Sequence, residues 1–178
     1  MSDVHVEFVP AKDRLELLAP TVAAALADWA GLPEAEVAEI DPEISDTAAL
    51  VAASDILMED CANCVVVGGK RAGDERIAAC LVLATGRADV NKVVRKRLDV
   101  RRASFLPMDD AVARSGMEYG GITPVGLPPE WPIWVDPSVL AREHVVIGAG
   151  RRAAKLRLPG RLIADLPGVE VVEDLALS

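Results

Sequence analysis

Two glycine-bearing segments and a pair of cysteines are the places where this chain could do chemistry. In Gly120-Gly121-Ile122-Thr123-Pro124-Val125-Gly126, the glycines let backbone N–H groups approach a ligand, the proline stiffens the loop and Thr123 offers one hydroxyl. The same segment also reads as a tight turn between elements, and spacing alone does not choose. In Gly148-Ala149-Gly150-Arg151-Arg152, a glycine turn followed by two arginines could hold a phosphate through amide N–H groups and guanidinium. It is not a dinucleotide fingerprint: the third glycine is missing, and a strand rather than a helix N-terminus is expected next. Cys61-x-x-Cys64 invites a metal or redox reading, but zinc needs four ligands and only Cys80, His5 and His144 remain, scattered along the chain. A redox dithiol belongs at a helix start, whereas Cys64 enters an apolar strand, so buried, unreactive thiols are expected. There is no Gly-x-Ser-x-Gly elbow, no nucleophile–histidine pairing and no deaminase signature, which disfavours a covalent hydrolase. No metal and no cofactor are expected.

Charge bears on the partner. The net charge is −9, from 19 basic and 28 acidic residues, which taken whole argues against a polyanion. The distribution is uneven. Residues 1–60 hold 14 acids against Lys12 and Arg14, whereas residues 61–178 hold 14 acids and 17 bases. Eleven of those 17 bases form two clusters: Lys92, Arg95, Lys96, Arg97, Arg101 and Arg102, then Arg151, Arg152, Lys155, Arg157 and Arg161. They read either as solvated faces or as a local basic surface that meets a polyanion, with the acidic N-terminal region facing elsewhere.

The elements that must position these residues follow from composition and periodicity. At 51% hydrophobic and 26% charged residues, the chain folds, and its length is that of one domain. Aromatics are only 3%, so the core is aliphatic. The longest apolar run, Ile77–Thr85, is about half of what a membrane helix needs. The N-terminus lacks the basic-then-apolar pattern of a signal peptide. Three cysteines make no disulfide framework, and a cytoplasmic setting is expected. Leu15, Leu18, Val22, Leu26 and Trp29 predict a helix over 12–30 that ends near Gly31 and Pro33. Ser45 is a plausible cap for a helix to about Leu57. Ala62–Val67 and Arg76–Ala84 predict a central hairpin, apolar on both faces. Asp89 caps a helix to Leu98, and another runs from Met108 to Gly116. Residues 116–137 read as a long Gly/Pro loop, a feature more often functional than incidental, with one strand at Ile133–Val135. Strands are expected near Glu143–Ile147, Ala154–Leu158 and Val169–Val172. Hairpins mixed with helices predict an α+β fold with a mixed sheet.

Taken together, these segments resemble a known family. Gly120–Gly126 is similar to the Gly-Gly-Ile-Ser-Pro-x-Gly loop of YbaK-type proteins, free-standing relatives of the prolyl-tRNA synthetase editing domain. Pro132-Ile133-Trp134-Val135-Asp136 resembles the strand with a terminal Asp that follows there, and Val146–Arg152 resembles its Gly-Gly-Lys-Arg turn. Arg101–Leu106 through Ser115-Gly116 fits the segment before the loop. The likeness runs in order from about Ser45 to Asp174, as a family-like core over 45–174 of a single domain, 1–178, with an acidic N-terminal extension, 1–44. It implies a strongly curved mixed sheet flanked by helices, and trans-editing: hydrolysis of the ester of a mischarged aminoacyl-tRNA. Backbone amides would grip the substrate, and a hydroxyl or thiol of the substrate would assist the attacking water.

By that resemblance, Asn63, Thr123 and Asp136 are the catalytic candidates. Gly120, Gly121, Ile122, Pro124, Gly126, Gly148, Gly150 and Arg151 would bind substrate. Arg95, Lys96, Arg97, Arg101, Arg102, Arg152 and Lys155 would meet the tRNA backbone. Aminoacyl-tRNA is the expected partner, with an aminoacyl-tRNA synthetase as a further one and no membrane. One departure divides the readings. The family's hairpin strand begins with a Lys, and Asn63 stands in its place. An ammonium meets a phosphate or a developing negative charge, whereas an amide only hydrogen-bonds. Either another cation, such as Arg151, takes over, or the chain is a non-catalytic module that binds aminoacyl-tRNA without turnover. A small-molecule esterase or amidase on the same scaffold is a third reading.

Overall fold

The computed structural model describes residues 4–178. In chain order the elements are β1 (Val9–Pro10), α1 (Pro20–Ala27), β2 (Glu36–Glu39), α2 (Thr47–Ala53), β3 (Ala62–Arg71), β4 (Asp74–Leu83), β5 (Arg87–Ala88), α3 (Arg95–Leu98), β6 (Ser104–Phe105), α4 (Met108–Ser115), β7 (Ile133–Val135), α5 (Pro137–Leu140), β8 (His144–Gly148), β9 (Ala154–Pro159), β10 (Val169–Val171) and β11 (Ala176–Leu177). The fold is α+β, as expected. A five-stranded mixed sheet has the order β10-β7-β4-β3-β6, and a four-stranded antiparallel sheet the order β1-β2-β9-β8. One bridge, Cys61 to Val146, links the first strand of the hairpin to β8.

The β3–β4 hairpin is the frame. Ten residue pairs run from Ala62↔Leu83 to Arg71↔Asp74, closed by Ala72 and Gly73 at φ of 50° and 86°. Positive φ at both turn residues matches the right-handed twist of the strands. The first strand therefore runs on through Gly68-Gly69-Lys70-Arg71, beyond the Val67 end expected from sequence. Their two faces are both covered. Val66, Ala79 and Leu81 pack with Ile147, Leu156 and Leu158 between the two sheets. Val67, Ala78, Cys80 and Val82 pack against Val94, Leu98 and Leu175 on the other side. A third cluster covers the outer face of the four-stranded sheet, where Leu50 of α2 meets Ala38, Val146 and Cys61.

The first helix departs from expectation. The stripe over 12–30 forms two tight 3-10 turns, Ala11–Asp13 and Leu15–Leu17, and α1 begins only at Pro20. Proline has no N–H to donate and pushes the preceding residue into extended backbone; Ala19 sits at φ −60°, ψ 150°. Leu18, Val22 and Leu26 still reach the core. Residues 9–39 are thus built into the molecule: β2 pairs along β9 from Glu36↔Arg157 to Glu39↔Ala154.

Candidate functional site

The two glycine segments meet. Gly150 N donates to Gly121 O at 2.7 Å, and Glu118 N donates to Gly150 O at 2.8 Å. Side chains would prevent this approach. A Cβ on Gly148 would lie 2.6 Å from Gly121 O and 2.7 Å from Ile122 O, and one on Gly121 would lie 2.9 Å from Arg151 N. Glycine is required on both partners because backbone faces backbone. Arg152 ties the contact down. Its N–H donates to the Glu118 carboxylate at 2.9 Å, and its guanidinium donates to the carbonyl of Pro42 at 3.0 Å.

Beside this contact lies a cavity of about 520 Å³, roughly the size that takes a small ligand. The start of β3 gives it one wall (Cys61 to Val65), the segment Glu43–Ala48 at the head of α2 a second, and Gly120, Ile122, Ile147 and Gly148 a third. Met108 and Tyr119, 44% and 57% exposed, stand at its rim. The Arg152 guanidinium lies 5.8 Å from the Tyr119 ring centroid. Asn63 accepts at Oδ1 from the Thr47 hydroxyl at 2.8 Å, which holds the amide in place and leaves its N–H donors unclaimed by that bond. The hydrogen bonds of the loops use the amides of Gly121, Thr123, Gly150 and Arg152. Among the described residues, the amides of Gly120 and Ile122 donate to no protein acceptor.

Lys155 is the charge inside. It is 6% exposed and lines the cavity from β9, opposite Gly148 in register. Burial lowers its pKa, against the opposing pull of Cys61 and Asp46. Burial also raises the thiols: Cys61 to about 11, Cys80 to about 12, and Cys64 well above its usual value. They are protonated at neutral pH and are not nucleophiles there.

Of the residues singled out from sequence, Asn63, Gly120, Ile122, Gly148, Arg152 and Lys155 come together at this cavity. The others lie elsewhere, each for a visible reason. Thr123 is fully buried and its hydroxyl has no partner, because the loop turns inward against Met117. Asp136 caps α5, accepting from the Ser138 amide and hydroxyl, and takes the Ala176 amide on its other oxygen. Pro124 and Gly126 line a separate apolar cavity of about 180 Å³ with Trp131 and Leu166. Gly121 and Gly150 form the interlock rather than the cavity wall. Arg151 is exposed in a shallow outer depression beside Ala19 and Gly116.

The two basic clusters also part company. Arg95, Lys96 and Arg101 share one concave surface with Lys70 and Arg71, and Arg102 is exposed next to it. Arg97 is drawn off by Glu170 at 2.6 Å and by the face of Trp134 at 5.2 Å. Two of the five bases in the second cluster are paired with N-terminal acids, so Glu34 and Glu36 do not face elsewhere. Arg157 makes a two-point pair with Glu36, and Arg161 pairs with Glu34. Met108 at the rim stands six positions after Arg102, at most about 21 Å away. Sequence reading missed Ser45, Asp46 and Thr47 as wall residues. Their signal was a polar triplet opening a helix, and it was read as a cap alone; the cap itself is Asp46, whose carboxylate accepts from the Ala49 amide.

The fold recurs in solved structures. A candidate trans-editing enzyme for prolyl tRNA synthetase superposes with a TM-score of 0.72 at 21% identity, over 87% of this chain and 94% of that one. A hypothetical protein, APE2540, matches with a TM-score of 0.68 at 22% identity, over 79% and 90% of the two chains. At such identities the likeness is one of fold. The sequence matches the family model of the aminoacyl-tRNA editing domain over residues 41–166, and the chain belongs to that family. The match spans α2, the β3–β4 hairpin, both glycine segments and β9, so every wall of the cavity lies within it.

Proposed function

We propose that the protein deacylates a mischarged aminoacyl-tRNA, with the aminoacylated 3′ end held in the cavity between the hairpin and the two glycine segments. The observation that carries this reading is the interlock. It leaves the Gly120 and Ile122 amides without protein acceptors beside a cavity large enough for an aminoacyl group and its sugar. Editing answers a physical need: a synthetase pocket rejects a near-isosteric amino acid by only about 1–3 kcal/mol, so a second site must hydrolyse what slips through. Carboxylates of Glu43 and Asp46 on one wall suit the α-ammonium of the substrate, and amides and Asn63 suit its carbonyl and hydroxyl groups. Water adds to the ester carbonyl carbon, the carbon–oxygen bond to the ribose breaks, and the ribose oxygen leaves with a proton. The products are free amino acid and tRNA with a free 3′-terminal diol. The chain brings no activated nucleophile to this step; orientation and hydrogen bonding do the work, with a hydroxyl or thiol of the substrate assisting the water.

Tyr119 and Met108 form the doorway, and Lys96, Arg101 and Arg102 would meet phosphates of the acceptor strand. The competing reading, binding without turnover, draws on Asn63. Incubation with a panel of mischarged tRNAs separates the two. Deacylation that exceeds the uncatalysed rate for at least one tRNA is expected; salt-sensitive binding with no release from any of them supports the binding module.

A further inference from the structure

A lysine nine-tenths buried ordinarily has an anion against it, because an unpaired charge away from water is costly. Lys155 has none. Among the described residues it makes no ion pair, although Arg14, Arg71, Arg76, Arg97, Arg114, Arg142, Arg157 and Arg161 all do. Nor does its ammonium donate a hydrogen bond to a protein atom. Yet Nζ is not among the sealed, unsatisfied polar atoms, which are Thr123 Oγ1 and Arg142 Nε. The residue is thus enclosed by protein, without being sealed off, and it lines the cavity.

Its placement follows from strand alternation. On β9, Ala154, Leu156 and Leu158 face the core between the sheets. Lys155 projects to the opposite face, where its neighbour in register on β8 is Gly148. Gly148 has no side chain to stand between the lysine and the Gly121–Ile122 segment. Its neighbour in register on β2 is Ala38, a member of the apolar cluster with Val146 and Cys61, and such surroundings suit four methylenes. Asn63 enters the same cavity from the other sheet, across the Cys61–Val146 bridge. The cavity therefore has an amide on β3 and an ammonium on β9.

We infer that Lys155 is a catalytic residue of this site: its ammonium donates to the carbonyl oxygen of the bound ester and holds the negative charge that forms there. The inference rests on the deacylase reading for the identity of the ester, and on geometry for the choice of residue. When water adds to the carbonyl carbon, the π electron pair moves to the carbonyl oxygen. Lys155 keeps all its protons and stabilises that oxyanion. When the pair returns, the bond from the acyl carbon to the ribose oxygen breaks, and a proton from the water leaves with that oxygen. A donor pre-set in a cavity poor in water stabilises such charge more than bulk solvent does. Arg151 does not fill this role from its outer depression, and Arg152 is committed to Glu118, Tyr119 and Pro42.

The test compares two adenosine probes by calorimetry. One carries 1-aminoethylphosphonate on its 3′ oxygen, an anionic tetrahedral mimic. The other is 3′-alanylamido-3′-deoxyadenosine, neutral and planar at the same centre. Wild type is expected to bind the phosphonate at least about 100-fold more tightly. Lys155→Met is expected to lose about 100-fold on the phosphonate and less than about threefold on the amide. Lys155→Gln serves as the second variant, and circular dichroism verifies that both fold. A purely structural lysine would lower both affinities together. A Lys155→Met protein that keeps the phosphonate preference within about threefold of wild type overturns the assignment, as does a wild type without that preference. The two readings fail separately. A wild type that prefers the phosphonate but releases no amino acid from any tRNA refutes deacylation and keeps the anion contact. Turnover that survives unchanged in Lys155→Met does the reverse.

Discussion

Gly148→Ala is the sharpest perturbation of the loop interlock. The added Cβ would sit 2.6 Å from Gly121 O, and ordinary contact begins near 3.4 Å, so the two segments must separate by about 0.8 Å. Both neighbours are backbone oxygens and cannot rotate away. Overpacking of this kind costs about 1–3 kcal/mol. The shift also stretches the 2.7 Å bond from Gly150 N to Gly121 O, worth about 1 kcal/mol net. The expected loss of about 2–4 kcal/mol would lower Tm by roughly 4–16 °C in a domain of this size. Catalysis should suffer beyond stability, because Gly120 and Ile122 move with their segment, and a misplacement near 1 Å costs about 100-fold in rate. The control is Gly68→Ala in β3, whose Cβ would lie 3.3 Å from the flexible end of Leu106 and at an ordinary 3.5 Å from Arg76 O and the Ile77 side chain. It should cost less than about 1 kcal/mol and leave turnover within threefold. Thermal unfolding and single-turnover deacylation at a temperature where both variants are folded give the comparison. If Gly148→Ala matches Gly68→Ala in both, the tight backbone approach does not shape the site.

Other outcomes follow from single contacts. Thr47→Val removes the donor at 2.8 Å that fixes Asn63; kcat should fall about tenfold with KM nearly unchanged, and Thr47→Ser should restore it. Arg101→Ala with Arg102→Ala should weaken tRNA binding and reduce the slope of log K against log salt by about 1–2, while hydrolysis of a short aminoacyl-adenosine ester stays as in wild type. Lys155→Met should be more stable than wild type near neutral pH by about 1–3 kcal/mol, since it removes a buried, unpartnered charge. Lys155 has a folded pKa below its ordinary value of 10.5. Between those two pKa values the unfolded chain binds more protons, so the lysine's penalty shrinks as pH rises. The stability gap between variant and wild type, measured by urea unfolding, should therefore narrow toward pH 10.5.

The parts of this structure legible in the sequence were those fixed by local chemistry. The apolar runs on either side of Ala72-Gly73 made a hairpin wherever the register fell, and Gly116 ended α4 in the left-handed conformation, at φ 71°. The glycine segments were recognisable because only glycine permits backbone to lie on backbone. What pattern could not supply was the third dimension. Arg157 and Arg161 read as part of a basic patch until β2 brought Glu36 and Glu34 beside them. Thr123 and Asp136 looked reactive because their motif neighbours were, yet one faces inward and the other caps a helix. Lys155 was read as a contact to the tRNA backbone, since Arg151, Arg152, Arg157 and Arg161 lie close by in sequence. That β9 alternates, and that its outer face is roofed by α2 and the head of β3, is decided by residues more than ninety positions away.

The central claim is that the aminoacylated 3′ end occupies the cavity between β3, the head of α2 and the interlocked glycine segments. Amide NMR of the 15N-labelled protein, titrated with 3′-alanylamido-3′-deoxyadenosine, tests it most directly. The account expects the largest shifts at the Gly120 and Ile122 amides and the Asn63 side-chain amide, with Gly73 at the far hairpin tip unmoved. Shifts centred instead on the Pro124–Trp131 cavity or on the Lys70–Arg101 surface, with those three signals unchanged, would contradict it.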